Sequence, residues 1–173
     1  MYIVEEFEKW TSDFQQGWMK WIKQSKLANW KLYRYVKNEV SPPSKGLDLS
    51  KAKLLLISSA GAYLPAKDKP FDASNILGDY SIRTFPMTTP FSELEYAHEH
   101  YDQSAVREDA QVLLPLKHLQ FLVEEKAVGS LSDVVISFMG YQPRVNKVVK
   151  KMIPEIVALV KREQIDAVLL VPS

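Results

Sequence analysis

The chain has 173 residues, of which 46% are hydrophobic and 25% charged, and its formal net charge is +1. These values are ordinary for a globular protein, and the balanced charge favours neither nucleic acid nor an anionic membrane as the main partner. The absence of cysteine excludes disulfides, thiolate metal sites and a cysteine nucleophile within this sequence. No signal-peptide pattern and no apolar run long enough to span a bilayer is present. We therefore expect a cytoplasmic protein with one domain and an appended arm.

Aromatic side chains at helical spacing dominate the first forty residues. They predict a helix with one aromatic face, which either docks on a partner or a membrane or packs on its own domain. The residues with this spacing are Phe7, Trp10, Phe14, Trp18 and Trp21. A second short helix is expected over 27–38. The Pro, Ser and Gly cluster at 41–46 predicts a boundary between an arm at 1–46 and a core at 47–173.

The core alternates between predicted strands and helices. Strands are expected at 53–58, 80–85, 111–114, 134–138 and 165–171, and helices at 92–97, 116–126 and 145–163. Gly129 is expected to end the second of these helices, and Pro154 either kinks the third or begins a new segment. This order predicts an α/β fold, a three-layer sandwich around an open, mostly parallel, Rossmann-like sheet with an N-terminal helical arm.

The last eight residues carry an apolar run that is closed by Pro172. This pattern predicts a buried strand of a parallel sheet. Ligands of open α/β sheets bind beyond the carboxyl ends of the strands, so the loops after 58, 138 and 171 should open on one edge. The residues expected to line that edge are Ser59, Gly61, Tyr63, Gly140 and Tyr141.

The segment 98–102 is the densest cluster of chemically versatile groups. In an extended chain His98, His100 and Asp102 share one face, which suits a metal or an anion, whereas in a helix His100 points elsewhere. The helical pattern of the preceding residues weakens the metal interpretation. A metal-dependent hydrolase would also lack a second ligand cluster, so no metal is predicted. Binding of a substrate carboxylate, contact with a neighbouring subunit and a purely structural function stay open.

Several stretches together resemble the selenoprotein B family of glycine, sarcosine, betaine and D-proline reductases. They are LISSAGAYL (56–64), FDASN (71–75), GDYSIR (78–83), HEHYD (98–102), VLLP (112–115), GSL (129–131), SFMGY (137–141) and DAVLLVP (166–172). Their order and spacing are similar to that family from about Ala52 onward, and the D-proline reductase branch is the closer one. The stretches add Arg83, His98, His100, Tyr101 and Asp102 to the candidates for substrate binding.

The resemblance implies reductive cleavage of the C–N bond of an amino acid or its N-methyl derivative. In that family a selenocysteine or cysteine follows the strand that matches 167–172 within a residue or two. The resemblance implies that this residue attacks the substrate α-carbon while a pyruvoyl group on a partner subunit activates the amine. No cofactor and no catalytic residue are expected in this chain itself, because the redox residue would come immediately after Ser173.

Two departures from the family pattern are Gln111, where the family tends to have asparagine, and Lys126, where it tends to have glycine. Two interpretations follow. The chain is the N-terminal portion of a reductase subunit, ended because an in-frame UGA is read as stop. Alternatively, it is a truncated, non-catalytic homologue that serves as an assembly or regulatory subunit and docks through its aromatic arm. An oligomer is compatible with both, and the DNA downstream of codon 173 would distinguish them.

Overall fold

A computed structural model describes residues 4–40, 46–97 and 104–173 of the chain. Contacts within the chain divide it into two compact units, Met1–Lys45 and Gly46–Ser173.

One continuous helix forms the core of the first unit. It begins as α1 (Phe7–Phe14), passes through a π-helical turn (Gln15–Met19) and continues as α2 (Lys20–Ser25). The rings of Trp10, Phe14 and Trp18 are buried and stack in succession, with centroids 4.8 and 5.3 Å apart. Trp10, Phe14 and Trp18 of the aromatic face are therefore packed inside their own unit, whereas Trp21 is 41% exposed.

The expected second helix over 27–38 is wrong. A short 3-10 turn, Trp30–Leu32, is followed by extended chain. The indole N–H of Trp10 donates to the carbonyl oxygen of Arg34 at 2.7 Å. The carboxylate of Glu5 accepts the backbone N–H groups of residues 39 and 40, each at 3.0 Å. Bonds to the first helix thus replace the intrahelical bonds that the local sequence suggests.

The second unit is an α/β sandwich. Its strands are β1 (Lys53–Ser58), β2 (Ala62–Tyr63), β3 (Arg83–Pro86), β4 (Glu95–Tyr96), β5 (Ser130–Leu131), β6 (Val134–Ser137) and β7 (Ala167–Val171). Its helices are α3 (Ser104–Glu108), α4 (Leu116–Glu124), α5 (Val145–Lys147) and α6 (Ile153–Arg162), and a π-helical turn (Val148–Met152) joins the last two. Pro154 thus lies directly after a π-helical turn in a continuous helix, because Met152 and Ile153 keep helical backbone angles.

The main sheet is built around β1, which lies between β6 and β7 and is parallel to both. β5 pairs in parallel with the first two residues of β1, and β3 adds an antiparallel edge to β6. Leu54 and Leu56 of β1 pack in a cluster that includes residues of α4. Leu55 and Ile57 point to the other face and pack with Leu159 of α6. Helices therefore cover both faces of a mostly parallel sheet, which confirms the open α/β fold.

The expectation that the last strand is buried is wrong. β7 pairs with β1 along its whole length, and among the described residues no strand pairs with its other edge. Its side chains alternate, so that Val168 is 46% and Leu170 is 60% exposed while Leu169 is partly buried. An apolar run is buried on both faces only where helices or another sheet cover both faces, and the described residues leave the face of β7 that carries Val168 and Leu170 largely open.

Three further local predictions are wrong. The segment 92–97 forms a short turn and then β4, which pairs antiparallel with β2. The segment 111–114 overlaps a 3-10 turn, because the carboxylate of Asp109 accepts the N–H of Gln111 at 2.9 Å. Lys126, with φ 59°, is the left-handed residue that ends α4. Gly129 instead permits a close approach, since a Cβ there would lie 2.7 Å from the carbonyl carbon of Lys51.

Candidate functional site at the carboxyl edge of the sheet

The carboxyl ends of β1, β6 and β7 meet at one edge of the main sheet, since the three strands are parallel. Ser59, directly after β1, connects to the chain that follows β7. Its N–H donates to the carbonyl oxygen of Val171 at 3.1 Å, and its Oγ accepts the N–H of Ser173 at 2.8 Å. Such a strand order, with the central strand flanked on both sides, is where open α/β sheets place their ligands.

The residues that follow β6 lie against the residues that follow β1. The N–H of Gly61 donates to the carbonyl oxygen of Phe138 at 3.0 Å, and Ala60 forms a bridge with Met139. A Cβ on Gly140 would lie 3.3 Å from Oγ of Ser173 and 3.5 Å from Oγ of Ser59. The glycine therefore leaves the two serine hydroxyls uncovered on its side.

The hydroxyl of Tyr63 donates to the carboxylate of Glu95 at 2.5 Å, next to the pairing of β2 with β4. This hydrogen bond, together with burial, raises the pKa of Tyr63 above its usual value. The ring of Tyr63 packs with Phe71 and Met139 in a small core cluster of its own. The side chain of Tyr63 is thus held in place by packing and by its hydrogen bond, and its phenol stays protonated at neutral pH.

An ordered loop, residues 64–82, is bound to the segment after β6. The hydroxyl of Tyr141 donates to the carbonyl oxygen of Ile76 at 2.9 Å, and the amide nitrogen of Gln142 donates to the carbonyl oxygen of Asp79 at 2.7 Å. The N–H of Arg144 donates to the hydroxyl of Tyr80 at 2.7 Å. Burial raises the pKa of Tyr141. These bonds hold the loop beside the carboxyl edge.

Asp79 organises the loop from within. Its carboxylate accepts the N–H of Asp72 at 3.0 Å and the N–H and hydroxyl of Ser81 at 2.9 and 2.5 Å. Burial alone would raise the pKa of Asp79, but these hydrogen bonds and the nearby charge of Arg83 lower it overall. The carboxylate is therefore ionised at neutral pH and acts as an acceptor for the loop backbone.

Arg83 opens β3 and pairs with Ser137, so its backbone lies at the carboxyl end of β6. Its guanidinium stacks over the ring of Phe71, with Cζ 4.4 Å from the centroid. It also donates to the carbonyl oxygen of Lys69 at 3.1 Å and to the hydroxyl of Ser81 at 2.8 Å. The positive charge of Arg83 thus lies beside the carboxyl edge of the sheet and is hydrogen-bonded to the loop.

Ser59, Gly61, Tyr63, Gly140 and Tyr141, which the sequence singles out, all lie at or beside this edge. His98, His100, Tyr101 and Asp102 lie outside the described residues. Ala97, the last residue before them, donates its N–H to the carbonyl oxygen of Gly61 at 3.0 Å.

Sequence reasoning missed Asp79, Gln142 and Arg144, which build the loop contacts. The Asp-x-Ser pattern at 79–81 is a turn signal that could have identified Asp79. Buried polar atoms without a hydrogen bond among the described residues include Oε1 of Gln142, Nε of Arg144 and Oδ1 of Asn146. These atoms make the segment after β6 unusually polar for a buried position.

The described residues contain no group of three or more His, Cys, Asp or Glu side chains arranged to hold a metal ion. Among the same residues no helix is both long and apolar enough to cross a membrane.

Comparison with known proteins identifies the protein family to which the chain belongs. Residues 26–173 match the family model for the glycine/sarcosine/betaine reductase selenoprotein B. The chain therefore belongs to this family. The match begins before Ala52, where the resemblance begins in the sequence, and includes the second half of the first unit.

One curated relative is the D-proline reductase subunit gamma of Acetoanaerobium sticklandii. It is 31% identical over 123 residues, which are 71% of this chain and 49% of the relative. The chain thus spans about half the length of the curated relative that it matches. No solved structure matches the chain significantly.

Proposed function

We propose that this chain is part of a reductase subunit that cleaves the C–N bond of an amino acid or its N-methyl derivative. Membership of the selenoprotein B family and the likeness to a D-proline reductase subunit support the reaction class. The proposed location of the site is supported by the meeting of β1, β6 and β7 at one edge of the sheet. At that edge Oγ of Ser59 accepts the N–H of Ser173.

The redox residue of the proposed reaction is a selenocysteine or cysteine immediately after Ser173, and residues 1–173 contain no cysteine. Attack of that selenolate or thiolate on the α-carbon breaks the C–N bond, a dithiol donor supplies two electrons, and two protons complete the released amine and the new C–H bond. A pyruvoyl group on a partner subunit would hold the amine. The 173-residue chain alone is therefore expected to be inactive.

The residues of this chain bind and orient the substrate in the proposal. Gly140 leaves space over the serine hydroxyls, and Tyr63 and Tyr141 form walls that are fixed by their own hydrogen bonds. Arg83 and the segment His98, His100, Tyr101 and Asp102 are the proposed contacts of the substrate carboxylate.

The leaving amine identifies the substrate. The reductase complex that contains this subunit is incubated with a dithiol and with glycine, sarcosine, betaine or D-proline in turn. Cleavage releases ammonia, methylamine or trimethylamine from the first three substrates and opens the ring of proline to 5-aminopentanoate, which mass spectrometry distinguishes. The likeness to the D-proline reductase subunit favours D-proline. Consumption of none of the four substrates would contradict the proposal.

A second candidate is a non-catalytic subunit that docks through the first unit. It is favoured by the exposure of Trp21 and Trp30, and by the position of the whole first helix, residues 7–25, ahead of the family match. In this case, co-purification with a full-length reductase subunit is lost when Trp21 and Trp30 are both changed to Ala. Phe121→Ala, which removes an exposed ring from α4 of the second unit, is the control. A chain that stays monomeric and binds no reductase subunit excludes this candidate.

A further inference from the structure

The ladder between β1 and β7 changes its pattern at its carboxyl end. In a parallel pair, the N–H of Ser59 bonding to Val171 should be followed by the N–H of Ser173 bonding to the carbonyl oxygen of Ser59. The first bond is present at 3.1 Å. Pro172, which has no N–H, lies between the two steps. The second step is made differently.

Two hydroxyl groups take the place of the second ladder bond. The N–H of Ser173 donates to Oγ of Ser59 at 2.8 Å, and the hydroxyl of Ser173 donates to the carbonyl oxygen of Ser59 at 3.0 Å. The two Oγ atoms are 3.1 Å apart. Since the hydroxyl of Ser173 already has an acceptor, the hydroxyl of Ser59 is the one that can donate toward Oγ of Ser173.

Neighbouring serines show that this arrangement is specific to Ser59. Ser58 points into the core, where its hydroxyl donates to the carbonyl oxygen of Leu113 at 2.9 Å. Ser137, the partner of Ser58 on β6, is fully buried, and its hydroxyl has no hydrogen bond among the described residues. Ser59 is itself buried whereas Ser173 is exposed, so the bonds between them lie where the end of the sheet meets solvent.

We propose that Ser59 is a positioning residue, whose hydroxyl fixes the chain after Pro172 and donates a hydrogen bond to the side-chain heteroatom at position 173. This inference rests on the proposed function, which puts the redox residue immediately after that position. Ser59 would thus set the direction in which the redox group leaves the sheet, and Gly140 would keep the opposite side free for the substrate.

A reporter thiol tests the hydrogen bond. Because the chain has no cysteine, Ser173→Cys introduces a single thiol, and the pH dependence of its alkylation rate gives its pKa. A hydroxyl donor stabilises the thiolate, so the pKa should be lower by about 0.5 to 1 with Ser59 than with the added Ser59→Ala change. Ser59→Thr keeps the hydroxyl and should restore the lower value. Ser137→Ala is the matched control and should leave the value unchanged.

Amide exchange tests the positioning in the chain without the reporter. Ser59→Ala should speed hydrogen exchange of the Ser173 amide by about tenfold, because its acceptor is lost, while the amide of Ile57 keeps its protection. An unchanged thiol pKa in Ser59→Ala, or an unchanged exchange rate of the Ser173 amide, would overturn the proposal. Neither measurement uses reductase activity, so failure of the substrate assay contradicts the proposed function alone.

Discussion

The two units of this chain use apolar side chains in opposite ways. In the first unit stacked rings of a single helix make the core, and all four tryptophans of the chain lie there. In the second unit aliphatic side chains fill both faces of a sheet, and polar groups gather at one edge. Packing accounts for the buried aromatic side chains of Trp10, Phe14 and Trp18 in the first unit, whereas hydrogen bonds join Ser59 and Ser173 at the sheet edge of the second unit. The more conspicuous motif thus forms a core, and the plain strand ends form the candidate site.

The largest expected effect lies in the first unit. Trp18 is fully buried between Phe14 and Trp30, so Trp18→Ala should lower the free energy of unfolding of this unit by about 3–5 kcal/mol. Trp21, 41% exposed on the same helix, is the control, and its change to Ala should cost less than about 1 kcal/mol. Tryptophan fluorescence during urea unfolding reports this unit alone. Equal losses for the two variants would show that the stack is not the core.

A similar contrast holds within the β1–β7 pair of the second unit. Leu55→Ala removes a fully buried side chain and should cost about 2–5 kcal/mol. Leu170→Ala, on the adjacent strand and 60% exposed, should cost less than about 1 kcal/mol. Protection of β1 amides against hydrogen exchange gives both values. A large loss for the Leu170 variant would mean that β7 is covered on this face.

A smaller effect is expected for the loop beside the candidate site. Gly78 has φ 78°, and a Cβ there would lie 2.9 Å from the carbonyl oxygen of Tyr141 and from the hydroxyl of Tyr80. Gly78→Ala should therefore lower stability by about 1–3 kcal/mol. Gly46→Ala is the control because nothing lies within 4 Å of its added Cβ. Thermal unfolding of the two variants distinguishes them, and a neutral Gly78 variant would show that the loop is free to shift.

The smallest expected effect is that of pH on the same loop. The pKa of Asp79 is lowered in the folded chain, so its contribution is fully present above its unfolded pKa, about 3.9, and is lost as the pH falls through the lower folded value. The protection factor of the Ser81 amide, which corrects for the intrinsic pH dependence of exchange, should therefore fall below about pH 4. In Asp79→Asn this pH dependence should be absent, and its persistence there would assign it to another carboxylate.

The strands that could be predicted are those whose own residues are continuously apolar. β1 and β6 belong to this group, since they are buried along most of their length. β4 could not be predicted, because Glu95 and Tyr96 become a strand only through pairing with β2, more than thirty residues earlier. The exposure of Leu170 was equally beyond local sequence, because it depends on what covers that face of β7 in the folded chain.

The residues of the candidate site divide in the same way, into those that local sequence predicts and those that depend on distant contacts. Ser59 and Gly140 could be located because they lie within two residues of the ends of predicted strands, and parallel strands end at a common edge. The hydrogen bonds from Gln142 to Asp79 and from Arg144 to Tyr80 join residues more than sixty positions apart. No periodicity in the sequence encodes such contacts, so the wall formed by the loop becomes visible only in the folded chain.

Substrate binding at the carboxyl edge of β1, β6 and β7 is the proposal on which the others depend. Its most direct test is titration of the ¹⁵N-labelled chain with D-proline, using pyrrolidine, which lacks the carboxylate, as the control ligand. Binding at this edge should shift the amide signals of Ser59, Gly61 and Gly140 with D-proline. Gly140→Ala should weaken this response, because the added methyl group fills space beside Ser59 and Ser173. Shifts confined to other parts of the chain, or equal responses to both ligands, would contradict it.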